Sequence, residues 1–278
     1  APHDPRQYPA RLNERYNRDT VSLPESFATT HPFDNGEMYV RDELLEAMPR
    51  RPEAVQQHVA DYYAIIAHVD EQVGRILDDL EATGEDKNTI VILAGDNGLA
   101  CGQHGLMGKQ NLYEHSIRVP LIMAGPGIPA NQRSDTLCYL SDIYPTLCDL
   151  LGLEKPTTVE GKSLAPCFED PATQIRKRLH FAYRGVQRAV KREGMKLIEY
   201  VVEGKRATQL FDLAVDPFEV NNLANDPEKA DILAALRAEL REWRTDFNDT
   251  RVIGDRFWGD FDSDEQLGIW RPGGHVHE

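Results

Sequence analysis

Residues 88–109, NTIVILAGDNGLACGQHGLMGK, restrict what this chain can fold into more than any other stretch. Thr89, Ile90, Val91, Ile92, Leu93 and Ala94 form an apolar, β-branched run, the pattern of a strand covered on both faces inside a parallel sheet. The run breaks at once into Gly95, Asp96, Asn97 and Gly98. A carboxylate and a carboxamide then stand at the carboxyl end of a buried strand, where open α/β sheets place their ligands. Gly98, Gly102, Gly105 and Gly108 leave the following loop mobile or close-fitting, and the loop ends on the cation Lys109. Oxygen ligands followed by a positive charge suit a site that holds a hard metal ion and an anion together. Asp-Asn-Gly is also what an ordinary turn looks like, because all three residues tolerate left-handed backbone.

The pattern on either side of this stretch alternates helix and strand. From 53 to 82, Val55, Val59, Tyr62, Tyr63, Ile66, Val69, Val73, Ile76, Leu77 and Leu80 recur at helical spacing, and Gly84 is placed to end that helix. A second strand is expected at 119–124 and a helix near 141–151, an alternation that predicts a largely parallel α/β sheet flanked by helices. Residues 1–52 are rich in Pro, Arg and Asp and read as an extended wrap carrying HPFDNGE at 31–37. After Pro171 the pattern changes to short alternating runs at 179–183, 187–191, 196–202 and 209–212, separated by Gly185, Gly194 and Gly204. These predict a small antiparallel sheet. A helix from 227 to about 247 places Ile232, Leu233, Leu236, Leu240 and Trp243 on one stripe to cover it. The division expected is a core over 1–175 and a small α+β subdomain with a tail over 176–278. Phe257, Trp258, Phe261 and Trp270 mark that tail as a segment that docks on the body or meets a partner.

Charge and composition exclude some functions. With 31 Lys and Arg against 46 Asp and Glu, the net charge of −15 argues against a nucleic-acid or anionic-membrane surface. It leaves an anionic substrate open, since a metal and a few cations dominate the field inside a site. No apolar run reaches the 18 residues that a membrane span needs. Cys101, Cys138, Cys148 and Cys167 form no CxxC pair, so neither a zinc site nor a disulfide scaffold is indicated. Cys138 and Cys148 flank an apolar helical stretch and read as core residues.

Several segments together resemble the sulfatase family of the alkaline phosphatase superfamily. They are the helix YYAIIAHVDEQVGRILDDLEATG, the strand with its GDNG loop, HGLMGKQNLYEHSIRVPLIMAGPG, YLSDIYPTLCDLLGL and LFDLAVDPFEVNNLA, in the family's order. The resemblance implies the second part of an alkaline-phosphatase-like core and hydrolysis of sulfate esters. It implies that Asp96 and Asn97 are ligands of Ca2+ or Mg2+, an Asn in place of His speaking against zinc. Lys109 would pair with a sulfate oxygen. His3, in the opening Pro2-His3-Asp4-Pro5, would serve as proton donor or acceptor at the ester. His104 would line the pocket, although a His in a Gly-rich loop is as often merely exposed.

The family's nucleophile is a cysteine or serine in a C/S-x-P/A-x-R motif, converted to formylglycine. None of the four cysteines has an arginine four residues on. The resemblance therefore implies that formylglycine and further metal-binding aspartates come from an N-terminal half of the same enzyme that precedes this chain. That missing half is an expected partner, as is a small-molecule or carbohydrate sulfate ester, and the apolar seam left without it would promote self-association. Two alternatives stay open here: a catalytically silent binding module, and a phosphonate or phosphodiester hydrolase of the same superfamily.

Overall fold

The structure, a computed structural model, describes residues 2–249, 252–262 and 268–269. The chain separates into two compact units that interleave along the sequence. The first comprises Ala1–Pro5, Ile65–Asp96 and Val119–Leu179; the second comprises Arg6–Ala64, Asn97–Arg118 and His180–Glu278.

Helix α1, Pro52–Thr83, begins on a proline, whose fixed φ suits the first helical position. It ends where Gly84 takes φ +75° and donates its N–H to the Glu81 carbonyl. In the first unit α1 is followed by β1, Val91–Ala94, and β2, Leu121–Ala124. Between them in sequence lies the short α2, Glu114–Ile117, in the second unit. β1 and β2 pair antiparallel, with Val91 opposite Ala124 and Ala94 opposite Leu121. The α/β class holds, but the parallel direction expected for these strands does not. The expectation of a strand covered on both faces is also corrected, since Leu93 is 44% exposed and Ile122 59% exposed. A two-stranded ribbon has no inner strand, so composition that suits a covered strand does not by itself create the cover.

Helix α3, Ile143–Leu151, follows a 3-10 turn at Leu140–Asp142 and ends on left-handed Gly152. Asp142, fully buried, holds this part of the first unit together. It accepts from the Tyr139 and Lys162 N–H groups and from both terminal nitrogens of Arg176. The short α4, Ala165–Glu169, buries Cys167.

The C-terminal sheet in the second unit matches the alternating pattern of the sequence. β3 is Arg178–Tyr183, β4 Gln187–Arg192, β5 Met195–Val202 and β6 Lys205–Asp212, with β4, β5 and β6 antiparallel neighbours. Helix α5, Ala230–Asp246, covers it, and α6, Val252–Asp262, adds to the same layer. Leu236, Leu240 and Trp243 of α5 pack with Phe257, Trp258 and Phe261 of α6 against Val190, Leu197, Val201 and Leu210. The three α6 aromatics thus dock on this unit's own sheet, whereas Trp270 lies outside the described residues. A two-residue strand β7, Gly268–Ile269, pairs parallel with β6. On the sheet's other face Ala189, Ile198, Tyr200 and Phe211 pack with Leu106, Leu112 and Tyr113 of the loop region. A satellite cluster of Val55, Val59, Cys101 and Met107 fixes the first turns of α1 to that loop. No helix among the described residues is long and apolar enough to cross a membrane.

Candidate active site

The backbone over 97–109 closes on itself. Ala100 donates its N–H to the Gly108 carbonyl at 2.9 Å and Gly102 to the Leu106 carbonyl at 2.8 Å, so the Asn97 and Lys109 ends of the loop are drawn together. Gly98 donates to the Ser116 carbonyl at 2.9 Å, and a Cβ on Gly98 would stand 2.0 Å from the His115 carbonyl oxygen. Only glycine permits that approach. Gly105, at φ +76°, likewise lies against the backbone of Thr30 and His31. The glycines that sequence alone left as either mobile or close-fitting are close-fitting here.

Asp96 and Asn97 are consecutive and both exposed, immediately past the carboxyl end of β1. Asp96 closes the first unit's second segment, and Asn97 opens the second unit's second segment. The Asn97 amide donates through Nδ2 to the Gly98 carbonyl at 2.9 Å, which makes Oδ1 the acceptor of its carboxamide. One charged and one neutral oxygen form a donor set suited to a hard cation. Among the described residues no group of three or more His, Cys, Asp and Glu gathers to hold a metal. Oxygens of these two kinds are among the donors that calcium and magnesium take, and calcium takes six to eight.

His3 belongs to the first unit. Its Nδ1 lies 2.8 Å from the Asp4 carbonyl oxygen and 3.4 Å from an Asp4 carboxylate oxygen. Both are acceptors, so the proton is assigned to Nδ1 and Nε2 remains able to accept one.

Lys109 belongs to the second unit and is half-buried. Its N–H donates to Gln110 Oε1 at 2.9 Å, and Gln110 in turn donates to Asp42 Oδ2 at 2.8 Å. Among the described residues its ammonium makes no ion pair, although the chain carries a net charge of −15.

His104 takes φ +53° and stacks on Tyr113, ring centroids 3.9 Å apart and 9° from parallel, with His115 5.7 Å away on a similar plane. Burial pushes His104 down to about 3, so its imidazole is neutral at physiological pH. His31 donates to the same loop through Nδ1, 2.9 Å from the His104 carbonyl oxygen, and burial pushes its pKa down to about 4. Since a carbonyl only accepts, Nδ1 of His31 carries the proton.

Sequence reasoning missed the groups that hold this loop. Glu43, 3% exposed, accepts from the Met107 and Gly108 N–H groups at 2.9 and 2.8 Å and pairs with Arg50, 1% exposed. Neither residue sits in a recognisable motif, and a charged pair in a Pro- and Arg-rich loop region gives no periodic signal.

The sulfatase family profile matches residues 1–153, and the profile described as N-sulphoglucosamine sulphohydrolase, C-terminal, matches residues 102–246. An N-acetylglucosamine-6-O-sulfatase from Bacteroides thetaiotaomicron is 32% identical over 206 residues, covering 70% of this chain and 37% of the relative. A solved structure in complex with its substrate D-glucosamine-2-N,6-O-disulfate is 30% identical, with a TM-score of 0.65 over 73% of this chain and 43% of that one. A phosphonate monoester hydrolase of Agrobacterium radiobacter, 24% identical, has a TM-score of 0.74 over 88% of this chain and 55% of that chain, a likeness of fold. This chain thus spans well under half the length of the curated relative it matches.

Proposed function

Because this chain belongs to the sulfatase family, we propose that it carries part of the metal and sulfate site of a sulfuric ester hydrolase. The observation that carries the reading is the loop leaving β1. It starts with two oxygen donors, Asp96 and Asn97, closes through the Ala100–Gly108 bond, and delivers Lys109 with no carboxylate on its ammonium among the described residues.

Each residue has a chemical task in this reading. Asp96 and Asn97 would hold Ca2+ or Mg2+, which when bound supplies positive charge beside the sulfate oxygens. Lys109 would pair with a sulfate oxygen and neutralise charge as the S–O bond breaks. His3, with Nδ1 oriented by Asp4, would take or return a proton through Nε2 at the ester or leaving-group oxygen. His104 would line the pocket as a neutral imidazole.

The reading takes the family's formylglycine as the nucleophile, although none of the four cysteines in this sequence has an arginine four residues on. The cysteines in hand are poorly suited to that part. Cys101, Cys148 and Cys167 are buried, and burial pushes the Cys101 thiol up to about 11, away from the reactive thiolate. The substrate class proposed is a carbohydrate sulfate. The extended wrap over 6–52 and the substrate named for the solved relative, a sulfated glucosamine, both support it.

The test is made in the complete enzyme. Asp96→Ala should abolish hydrolysis of an aryl sulfate and Asn97→Ala should lower it strongly, and elemental analysis should return calcium or magnesium. Stoichiometric zinc with full activity would defeat the metal assignment. Preference for phosphonate or phosphate diesters over sulfate esters would move the chain to another reaction of the superfamily. Absence of turnover on all of these would make it a binding module.

A further inference from the structure

We propose that the buried Glu43–Arg50 pair, together with Gln110, acts as a clamp that positions Lys109 for its sulfate contact; this rests on the reading of Lys109 given above. The clamp lies wholly within the second unit. Glu43 begins a 3-10 turn at Glu43–Leu45, and its carboxylate reaches across to the loop. Oε2 accepts from the Met107 N–H at 2.9 Å and Oε1 from the Gly108 N–H at 2.8 Å. One carboxylate thus spans two consecutive peptide groups immediately before Lys109 and fixes the direction in which the chain enters that residue.

Arg50 completes the grip. Its Nη2 donates to Glu43 Oε2 at 2.5 Å, its Nε to the Gly105 carbonyl at 2.9 Å, and its Nη1 to the carbonyls of Glu43 and Glu46. The loop backbone is therefore held at 105, 107 and 108 by two side chains that are themselves joined. Beyond Gly108, the Lys109 N–H is taken by Gln110 Oε1, and Gln110 Nε2 is anchored on Asp42, the neighbour of Glu43 in sequence. The Gln110 carbonyl also accepts from Gln187 at 3.1 Å. Every backbone group flanking Lys109 that these contacts reach is tied to the 42–50 segment or to β4, while the lysine side chain stays half-buried and without a carboxylate among the described residues.

Stability alone is a poor reason for such a pair. Taking a carboxylate and a guanidinium out of water costs several kcal/mol per ion, and well-packed apolar replacements often hold a fold as well or better. What an apolar pair cannot do is accept two adjacent N–H groups and dictate a peptide orientation. Burial raises the Glu43 pKa, and the Met107 and Gly108 N–H groups and Arg50 pull it back, so the ionised form depends on the contacts that orient the loop. A catalytic group displaced by about 1 Å can lose on the order of 100-fold in rate.

Three variants of the complete enzyme test this: Glu43→Gln, Gln110→Ala and Lys109→Ala, assayed on an aryl sulfate. Glutamine at 43 keeps the shape but points an N–H₂ at one of the backbone donors. Glu43→Gln should lower kcat roughly 10- to 100-fold with KM changed less than about threefold, with Glu43→Asp recovering part of the loss. Amide exchange at Met107 and Gly108 should accelerate in Glu43→Gln while amides of the C-terminal sheet keep their protection. Gln110→Ala, at a half-buried surface position, should show the same kcat-weighted loss and serves if Glu43→Gln fails to fold. Normal kcat in Gln110→Ala, or in a folded Glu43→Gln, with Lys109→Ala inactive, would overturn the clamp and leave the role of Lys109 standing. Normal turnover in Lys109→Ala would instead overturn the sulfate-contact reading itself.

Discussion

At the scale of single residues, the chemistry proposed here rests on a few side chains whose settings differ physically. Lys109 is a point charge on a locked backbone, and His3 is an exposed imidazole whose tautomer is set by Asp4. Lys109→Ala in the complete enzyme should therefore reduce kcat by about 100-fold or more, the scale of losing one charge-stabilising donor. His3→Ala should fall roughly 100- to 10,000-fold. Steady-state kinetics of the two variants, each beside the wild-type enzyme, checks both losses. Near-normal turnover in both variants would remove these positions from the site. His104 and Asn97 show how far residue identity alone reaches. A glycine-rich loop gave no way to tell an exposed histidine from a stacked one. The deciding partner is Tyr113, nine residues on, and nothing in the local spacing announces a ring stack.

At the scale of elements, the segments legible in the sequence were those whose periodicity is long or repeated. Helix α1 carries its apolar spacing from Val55 to Leu80, about seven turns, and its end is written by Gly84. The C-terminal strands were legible because alternation and glycine punctuation agree, with Gly194 and Gly204 both in left-handed turns between them. β1 shows the limit. Its composition says strand, but direction and cover depend on the neighbour it pairs with, and Val91 to Ala94 pair antiparallel with partners 27 to 33 residues downstream. The buried Glu43–Arg50 pair was illegible for a different reason: a contact across more than sixty residues between a loop carboxylate and two backbone N–H groups leaves no pattern. The α5 stripe permits a direct check on the legible part. Leu236 and Leu240 are fully buried against the sheet and α6, while Leu233 is only partly so. Leu240→Ala should cost about 2–5 kcal/mol of unfolding free energy, and Leu233→Ala distinctly less, as read from urea midpoints at constant m. Equal costs would mean that α5 does not face the sheet as described.

At the scale of the whole molecule, an acidic chain with a net charge of −15 keeps a buried lysine and a cluster of imidazoles in its second unit. Lys196 is fully buried between Glu114 and Glu219, at 3.2 and 2.7 Å, and His31, His104 and His115 surround Tyr113 nearby. Burial is the largest cause holding all three imidazoles below their ordinary value, to about 4 for His31 and about 3 for His104; repulsion from neighbouring imidazoles and Lys196 adds to it at His104 and His115, whereas the His104 carbonyl and Asp34 pull His31 partly back. An unfolded histidine titrates near 6.5. Below that pH the unfolded chain binds protons that the native state refuses, so stability falls as pH drops from about 6.5 toward 4. The slope is on the order of 1.4 kcal/mol per pH unit for each such histidine. Glu43 and Glu219, raised by burial, work in the opposite direction, since their native forms take up protons before the unfolded chain does. These two carboxylates act between about 4.3 and their raised native values, whereas three histidines act from about 6.5 downward and set the trend. Urea unfolding at pH 7.0, 6.0 and 5.0 should therefore show a falling midpoint. His31→Gln, which removes one of the three titrating groups, should flatten that fall even though it lowers the midpoint at pH 7.0. A wild-type midpoint that holds constant or rises between pH 7 and 5 would mean that these imidazoles are open to solvent and protonate in the folded protein.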